Sequence, residues 1–227
     1  MIIQPIVEGQ GDEVAVPLLL RRLRDEAQAW GLDVGRPHRR QRTQLVKKSS
    51  LENAVRVAAL RENCAAILVL FDADDDCPKE LAPTLEEWAR DAAGGKPCAV
   101  VMANREYEAW FLASIETLRG KAAILTDAIS HSNPEAPRNA KGELERRMAH
   151  GASYSSTVDQ ATLTAHLDLA STYRRCRSFR KLVSAFGALA AAAGVAPAEW
   201  PPRAGCLPYR ARLPRSRETT PRTRGSP

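Results

Sequence analysis

The stretch CAAILVLFDADDD, residues 64–76, constrains the fold more than any other. No charged side chain interrupts it from Cys64 to Phe71, and it then ends abruptly in Asp72, Asp74, Asp75 and Asp76. A short apolar run of this kind describes a strand buried on both faces, and such strands belong to parallel sheets covered by helices. The segment PCAVVMANRE repeats the pattern about thirty residues later, and IIQPIV at residues 2–7 is a shorter version that stops at Glu8-Gly9.

Helices alternate with these strands. In GDEVAVPLLLRRLRDEAQAW, the residues Val16, Leu20, Leu23, Ala27 and Trp30 recur at spacings of four and three, the signature of an amphipathic helix. Pro17 lies one turn inside it and predicts a bend. GLDVGRPHRRQRT supplies a weakly signalled second strand running into a basic loop. Ser49 with Glu52, and Thr84 with Glu87, have the spacing of capping boxes and predict helices over about 50–61 and 84–93. EYEAWFLASIETL reads as a further helix. The order is strand and helix four times over, which implies right-handed crossovers and an open, mainly parallel α/β sheet. Residues 1–120 are expected to form this core. Residues 121–200 are expected to form a helical appendage packed on it, and residues 201–227 a disordered tail.

The tail dominates the charge. Residues 201–227 carry seven arginines and one glutamate, which accounts for the whole formal +6, so the remainder balances at 26 basic and 26 acidic residues. A basic pI is therefore a property of a Pro/Arg-rich extension without the apolar content to fold. The five cysteines are scattered and never spaced as C-x-x-C, and the four histidines form no H-x-x-x-H pair, so neither a disulfide framework nor a zinc site is expected. No run of about eighteen apolar residues predicts a membrane span, and the first residues lack the pattern of a secretory signal. A cytoplasmic protein is the expectation.

Ligands of parallel α/β sheets gather at the carboxyl ends of the strands. Glu8 follows the first strand, Asp72–Asp76 the central one, and Glu106 and Glu108 the last, so all three acidic groups are expected on one edge. Alternation along an extended segment would point Asp72 and Asp74 the same way, and likewise Glu106 and Glu108. Converging carboxylates repel unless a cation neutralises them, and all-oxygen clusters suit Mg²⁺ or Mn²⁺. Each group has an alternative reading: Glu8 as a strand-end acid before a turn, the aspartates as a solvated or capping loop, Glu108 as a surface position on a helix whose Trp110 and Phe111 face the core. The aspartate run begins like a calcium loop, but Cys77 and Pro83 occupy its sixth and twelfth positions and exclude an EF-hand.

Taken in order, IVEGQGDE resembles the glutamate motif of the Toprim (topoisomerase-primase) superfamily, and LVLFDADDD its paired-aspartate motif. Together with ANREYEAWFLAS, TVDQATLTAHLDLA and CRSFRKL, the chain resembles, over roughly residues 2–190, a family of small bacterial Toprim proteins related to nucleases of the overcoming-lysogenisation-defect type. The resemblance implies that Glu8 is a general acid/base or metal-associated carboxylate and that Asp72 and Asp74 hold a divalent ion. It further implies that Glu13 is the second acid of the first helix, with Asp12 the competing choice, and that Glu106 and Glu108 form an acidic segment. Asp76 is an additional acid that the minimal motif does not require.

The reaction implied is metal-assisted phosphodiester hydrolysis, which also needs a cation for the developing phosphorane charge. Arg180 and Lys181, with Arg177, are the candidates from CRSFRKL. A topoisomerase or primase needs further modules for which this chain has no room, so a nuclease remains. Its grip on DNA or RNA is expected from RPHRRQRTQLVKK, through Arg36, Arg39, Arg40, Arg42, Lys47 and Lys48, though the same stretch reads equally as a solvated loop. The resemblance also implies an ABC or SMC-like ATPase partner, with which relatives of this type commonly work, often in defence against phages. Nothing in the sequence speaks against a homo-oligomer. The rival expectation is a non-catalytic Toprim module that binds a partner protein and carries its acids for structural reasons.

Overall fold

The computed structural model describes residues 1–198; the segment read as a disordered tail lies outside the described residues. The chain runs β1 (Ile2–Val7), α1 (Asp12–Glu26), β2 (Asp33–Val34), β3 (His38–Arg39), α2 (Arg42–Leu45), α3 (Lys48–Ala59), β4 (Cys64–Asp72), α4 (Pro78–Ala92), β5 (Cys98–Ala103) and α5 (Glu108–Ala113). A 3₁₀ turn (Ile115–Thr117) and four helices follow: α6 (Ala140–Glu145), α7 (Ser156–His166), α8 (Leu169–Arg175) and α9 (Arg177–Ala192). The sheet is open and every strand pairing in it is parallel, in the order β2-β1-β4-β5. The weakly signalled second strand is two short pieces on the same edge of β1: β2 pairs with Ile2 and Ile3, and β3 with Ile6 and Val7. The break falls at Gly35-Arg36-Pro37, where Pro37 has no N–H to offer a ladder.

The central strand is buried on both faces, as its uninterrupted apolar run requires. Ala66, Leu68 and Leu70 join a core with α1 and α5–α9, while Ile67, Val69 and Phe71 join a second core under α2, α3 and α4. Burying each of the larger side chains stabilises the fold by roughly 1.5–3 kcal/mol. Because α1 leaves β1 on one face and α4 leaves β4 on the other, the chain departs in opposite directions from two adjacent strands. A crevice opens between their carboxyl ends, the topological switch point of the sheet.

Two predicted helix starts are corrected. Helix α3 begins at Lys48, so Ser49 is already inside it and no side chain caps its first turn; Glu52 pairs instead with Arg56 at 2.9 Å. Helix α4 begins at Pro78, whose fixed φ and missing N–H suit a first helical position, and Thr84 lies in its interior. Pro17 is accommodated within a continuous α1. The run TVDQATLTAHLDLA divides into α7 and α8 at Asp168, whose carboxylate accepts from the Ser171 N–H at 2.9 Å. Helix α9 is capped from a distance: Glu135 accepts from the N–H groups of Arg177 and Ser178 at 2.9 and 2.8 Å. Among the described residues, no helix is long and apolar enough to cross a membrane.

Candidate functional site

The switch-point crevice has a volume of about 200 Å³ and is walled by acids: Glu8, Asp12, Asp72, Asp74, Glu106 and Glu108 all line it. Asp72 is the last residue of β4, and its Oδ1 accepts the Tyr107 N–H at 2.8 Å. Glu8 Oε2 accepts the Asp72 N–H at 3.4 Å, which ties the ends of β1 and β4 together. Asp12 is held from both sides, by the Gly9 N–H at 2.8 Å and by the Gln160 side-chain amide at 2.7 Å. Glu108 opens α5 as a buried residue beside Tyr154. Glu106 Oε2 accepts the Lys141 N–H at 2.8 Å.

These carboxylates share a common electrostatic state. Burial pushes Glu8 up to about 7, against the bond from Asp72 and with help from the charges of Asp74 and Asp12. Burial, followed by the charges of Glu108, Asp12 and Glu8, holds Asp72 well above the usual carboxylate range. Burial also raises Asp12 and Glu108. Among the described residues, no ion pair reaches Glu8, Asp12, Asp72 or Glu108. Charge left uncompensated among oxygen donors is the chemistry that a hard divalent cation satisfies. As the side chains stand, no three acids, histidines or cysteines among the described residues are gathered into a metal-binding cluster.

The aspartate run divides its labour. Asp72 faces the crevice in extended backbone, but Asp74 adopts φ +50°, so strand alternation ends before it and Asp74 reaches the rim by a left-handed turn. Its carboxylate pairs with Arg42 at 3.1 Å, and Arg42 also binds Asp76. Asp76, though held by the same guanidinium, is not among the residues that line the crevice. Glu13 pairs with Arg39 at 3.5 Å outside the crevice, and its neighbour Asp12 is the first-helix acid inside it.

The predicted cations lie elsewhere. Arg180 donates to the carbonyls of Tyr173 and Arg174, both at 3.0 Å, and locks the α8–α9 corner. Lys181 pairs with Glu86 at 3.9 Å in a separate groove beside Cys98, at the amino end of β5. The basic side chain that does line the crevice is Lys141, whose Nζ sits 5.6 Å from the centre of the Tyr154 ring. Of the basic stretch, Arg42 is half-buried and spent on the Asp72 and Ala73 carbonyls as well as its aspartates. Arg36, Arg39, Lys47 and Lys48 are exposed. Arg39 ends β3 and Arg40 follows it at the carboxyl edge, where the Arg40 N–H donates to the Val7 carbonyl at 2.9 Å.

A family model described as a domain of unknown function, DUF4276, matches residues 7–186. The chain belongs to this family. The match begins one residue before Glu8 and ends within α9, so it contains every residue that lines the crevice. No curated protein and no solved structure matches the chain.

Proposed function

We propose that the chain is a divalent-metal-dependent nuclease that hydrolyses phosphodiester bonds of DNA or RNA at this crevice, as the effector of an ATPase-partnered anti-phage system. The observation that carries the reading is the meeting of Glu8, Asp12, Asp72 and Glu108 at the sheet's switch point, with no ion pair to any of them among the described residues. The likeness of IVEGQGDE and LVLFDADDD to Toprim motifs supports the same residues. Glu8, Asp12, Asp72 and Glu108, with Asp74 and Glu106 at the rim, are the groups that would hold Mg²⁺ or Mn²⁺. Such an ion, when bound, supplies Lewis-acid polarisation of a phosphoryl oxygen. Glu8, with a proton affinity near neutrality, is suited to take or return a proton at its carboxylate. Lys141 is the cation positioned to meet phosphate charge, in place of Arg180 and Lys181.

Purified protein with Mg²⁺ or Mn²⁺ is expected to nick plasmid or cut RNA. Glu8→Gln and Asp72→Asn should each reduce cleavage by about 100-fold or more. Unchanged cleavage in both variants would overturn the assignment. A second reading, a non-catalytic module that binds a partner ATPase or another protein, is favoured by one observation: outside residues 201–227 the chain carries no net positive charge, with 26 basic and 26 acidic residues. It predicts that the same variants leave partner binding and cellular phenotype intact.

A further inference from the structure

Three loops meet beside the mouth of the crevice, and one exposed carboxylate ties them. Asp75, after β4, accepts from Arg105 Nη1 at 3.0 Å and from Arg138 in bidentate fashion, Nε at 3.0 Å and Nη2 at 2.5 Å. Arg105 follows β5 and directly precedes Glu106; Arg138 lies three residues before Lys141; Asp75 adjoins Asp74. Each member of the cluster is thus a short step in sequence from a residue that lines the crevice.

The Arg138 and Asp75 side chains are 73% and 67% exposed. Solvent screens an ion pair so placed, and it contributes little to stability. What Asp75 does is bring the Arg105 and Arg138 guanidinium groups together on one carboxylate. The backbone beneath is also held in an uncommon form. Asp74 and Arg105 both lie in the left-handed region, at φ +50° and +65°, and the Asp74 N–H donates to the Arg105 carbonyl at 2.9 Å. Left-handed backbone at non-glycine residues is unfavourable and persists only where the surroundings enforce it.

A nucleic-acid strand approaching six carboxylates needs a cationic rim. Arg42 is the more fully engaged, its guanidinium shared among two carbonyls and two aspartates, whereas Arg105 donates to Asp75 and, at 3.3 Å, to the Asp74 carbonyl. The geometry points to Arg105 and Arg138 as a clamp for a backbone phosphate of bound nucleic acid, with Asp75 occupying the place of that phosphate until a strand arrives. The arginine fork accepts carboxylate and phosphate in the same bidentate geometry, so one can exchange for the other. This inference rests on the nuclease reading and adds to it the residues that position the strand.

The test is fluorescence anisotropy of the full chain with labelled DNA and RNA oligonucleotides, with Ca²⁺ replacing Mg²⁺ to slow hydrolysis, across a salt series. Arg105→Gln and Arg138→Gln should each weaken binding roughly three- to tenfold and lower the salt slope by about 0.7–0.9. Asp75→Asn should tighten binding, because it removes the competitor. Thermal melts establish that all three variants remain folded. If Asp75→Asn weakens binding alongside the arginine variants, the cluster is a structural tie and the clamp is refuted; three unchanged affinities refute it as well. Wild-type protein that binds no oligonucleotide sinks the nuclease reading together with the clamp. Cleavage in Mg²⁺ with no effect of the three substitutions leaves that reading standing and removes only the clamp.

Discussion

Glu8 holds its proton to about pH 7 because burial and the charges of Asp74 and Asp12 oppose ionisation more than the Asp72 N–H and Arg42 favour it. In the unfolded chain the same carboxyl loses its proton near 4.5. The folded state therefore binds the extra proton between those values. Its stabilising contribution is complete below about pH 4.5 and is lost as pH rises through 7. Glu8→Gln removes this dependence: denaturant melts should show the variant gaining on the wild type as pH rises, by about 1 kcal/mol at pH 8 after allowing for solvent access to the crevice. Millimolar Mg²⁺ or Mn²⁺ should raise the wild-type melting temperature more at pH 8 than at pH 5.5, and much less in the variant. At this scale the sequence was legible where a residue ends a strand, as Glu8 and Asp72 do. It was not legible in choosing Asp12 over Glu13, since which of two consecutive acids faces the crevice depends on the phase of α1. Lys141 and Gln160 reach the crevice from far along the chain, and no local pattern marks them.

Helices α1 and α7 meet at the crevice through Gly11. A Cβ on Gly11 would lie 2.2 Å from Gln160 Oε1 and 2.4 Å from the Ser156 carbonyl, and the second of these is backbone that cannot swing aside. Gly11→Ala is expected to push α7 away, loosen the bond from Gln160 to Asp12, and cost about 1–3 kcal/mol in equilibrium unfolding. If cleavage is present in the wild type, this variant should lose part of it even where the protein remains folded. The buried strands β4 and β5 were legible from composition alone, because burial on two faces leaves no polar position to interrupt the run. Helix starts were less so. A capping-box spacing is a local signal, and at α3 and α4 the chain enters the helix earlier than Ser49 and Thr84. The cap of α9 is supplied by Glu135, more than forty residues away, which no window on CRSFRKL could contain.

Residues after 120 complete the molecule. Phe179, Leu182, Val183 and Phe186 of α9 share one core with Leu68, Leu70 and Val101 of the sheet, and the Trp110 indole N–H donates to Ser178 at 2.9 Å. A chain stopped after residue 120 would leave that face of β4 and β5 open to water and is expected to be insoluble or unfolded by circular dichroism. Calorimetry of the full chain should show one cooperative transition; two separate ones would mean that α6–α9 melt on their own. That helices follow the sheet and pack on it was legible from the change of pattern, but which sheet face they cover was not, because it depends on pairing across the whole chain. The divided outer strand has a consequence of its own at this scale. An unbroken edge beside β1 would present a row of free N–H and C=O groups to other chains, a template for stacking into aggregates. With β2 and β3 only two residues each and Pro37 between them, this edge offers no row of that length to a neighbour.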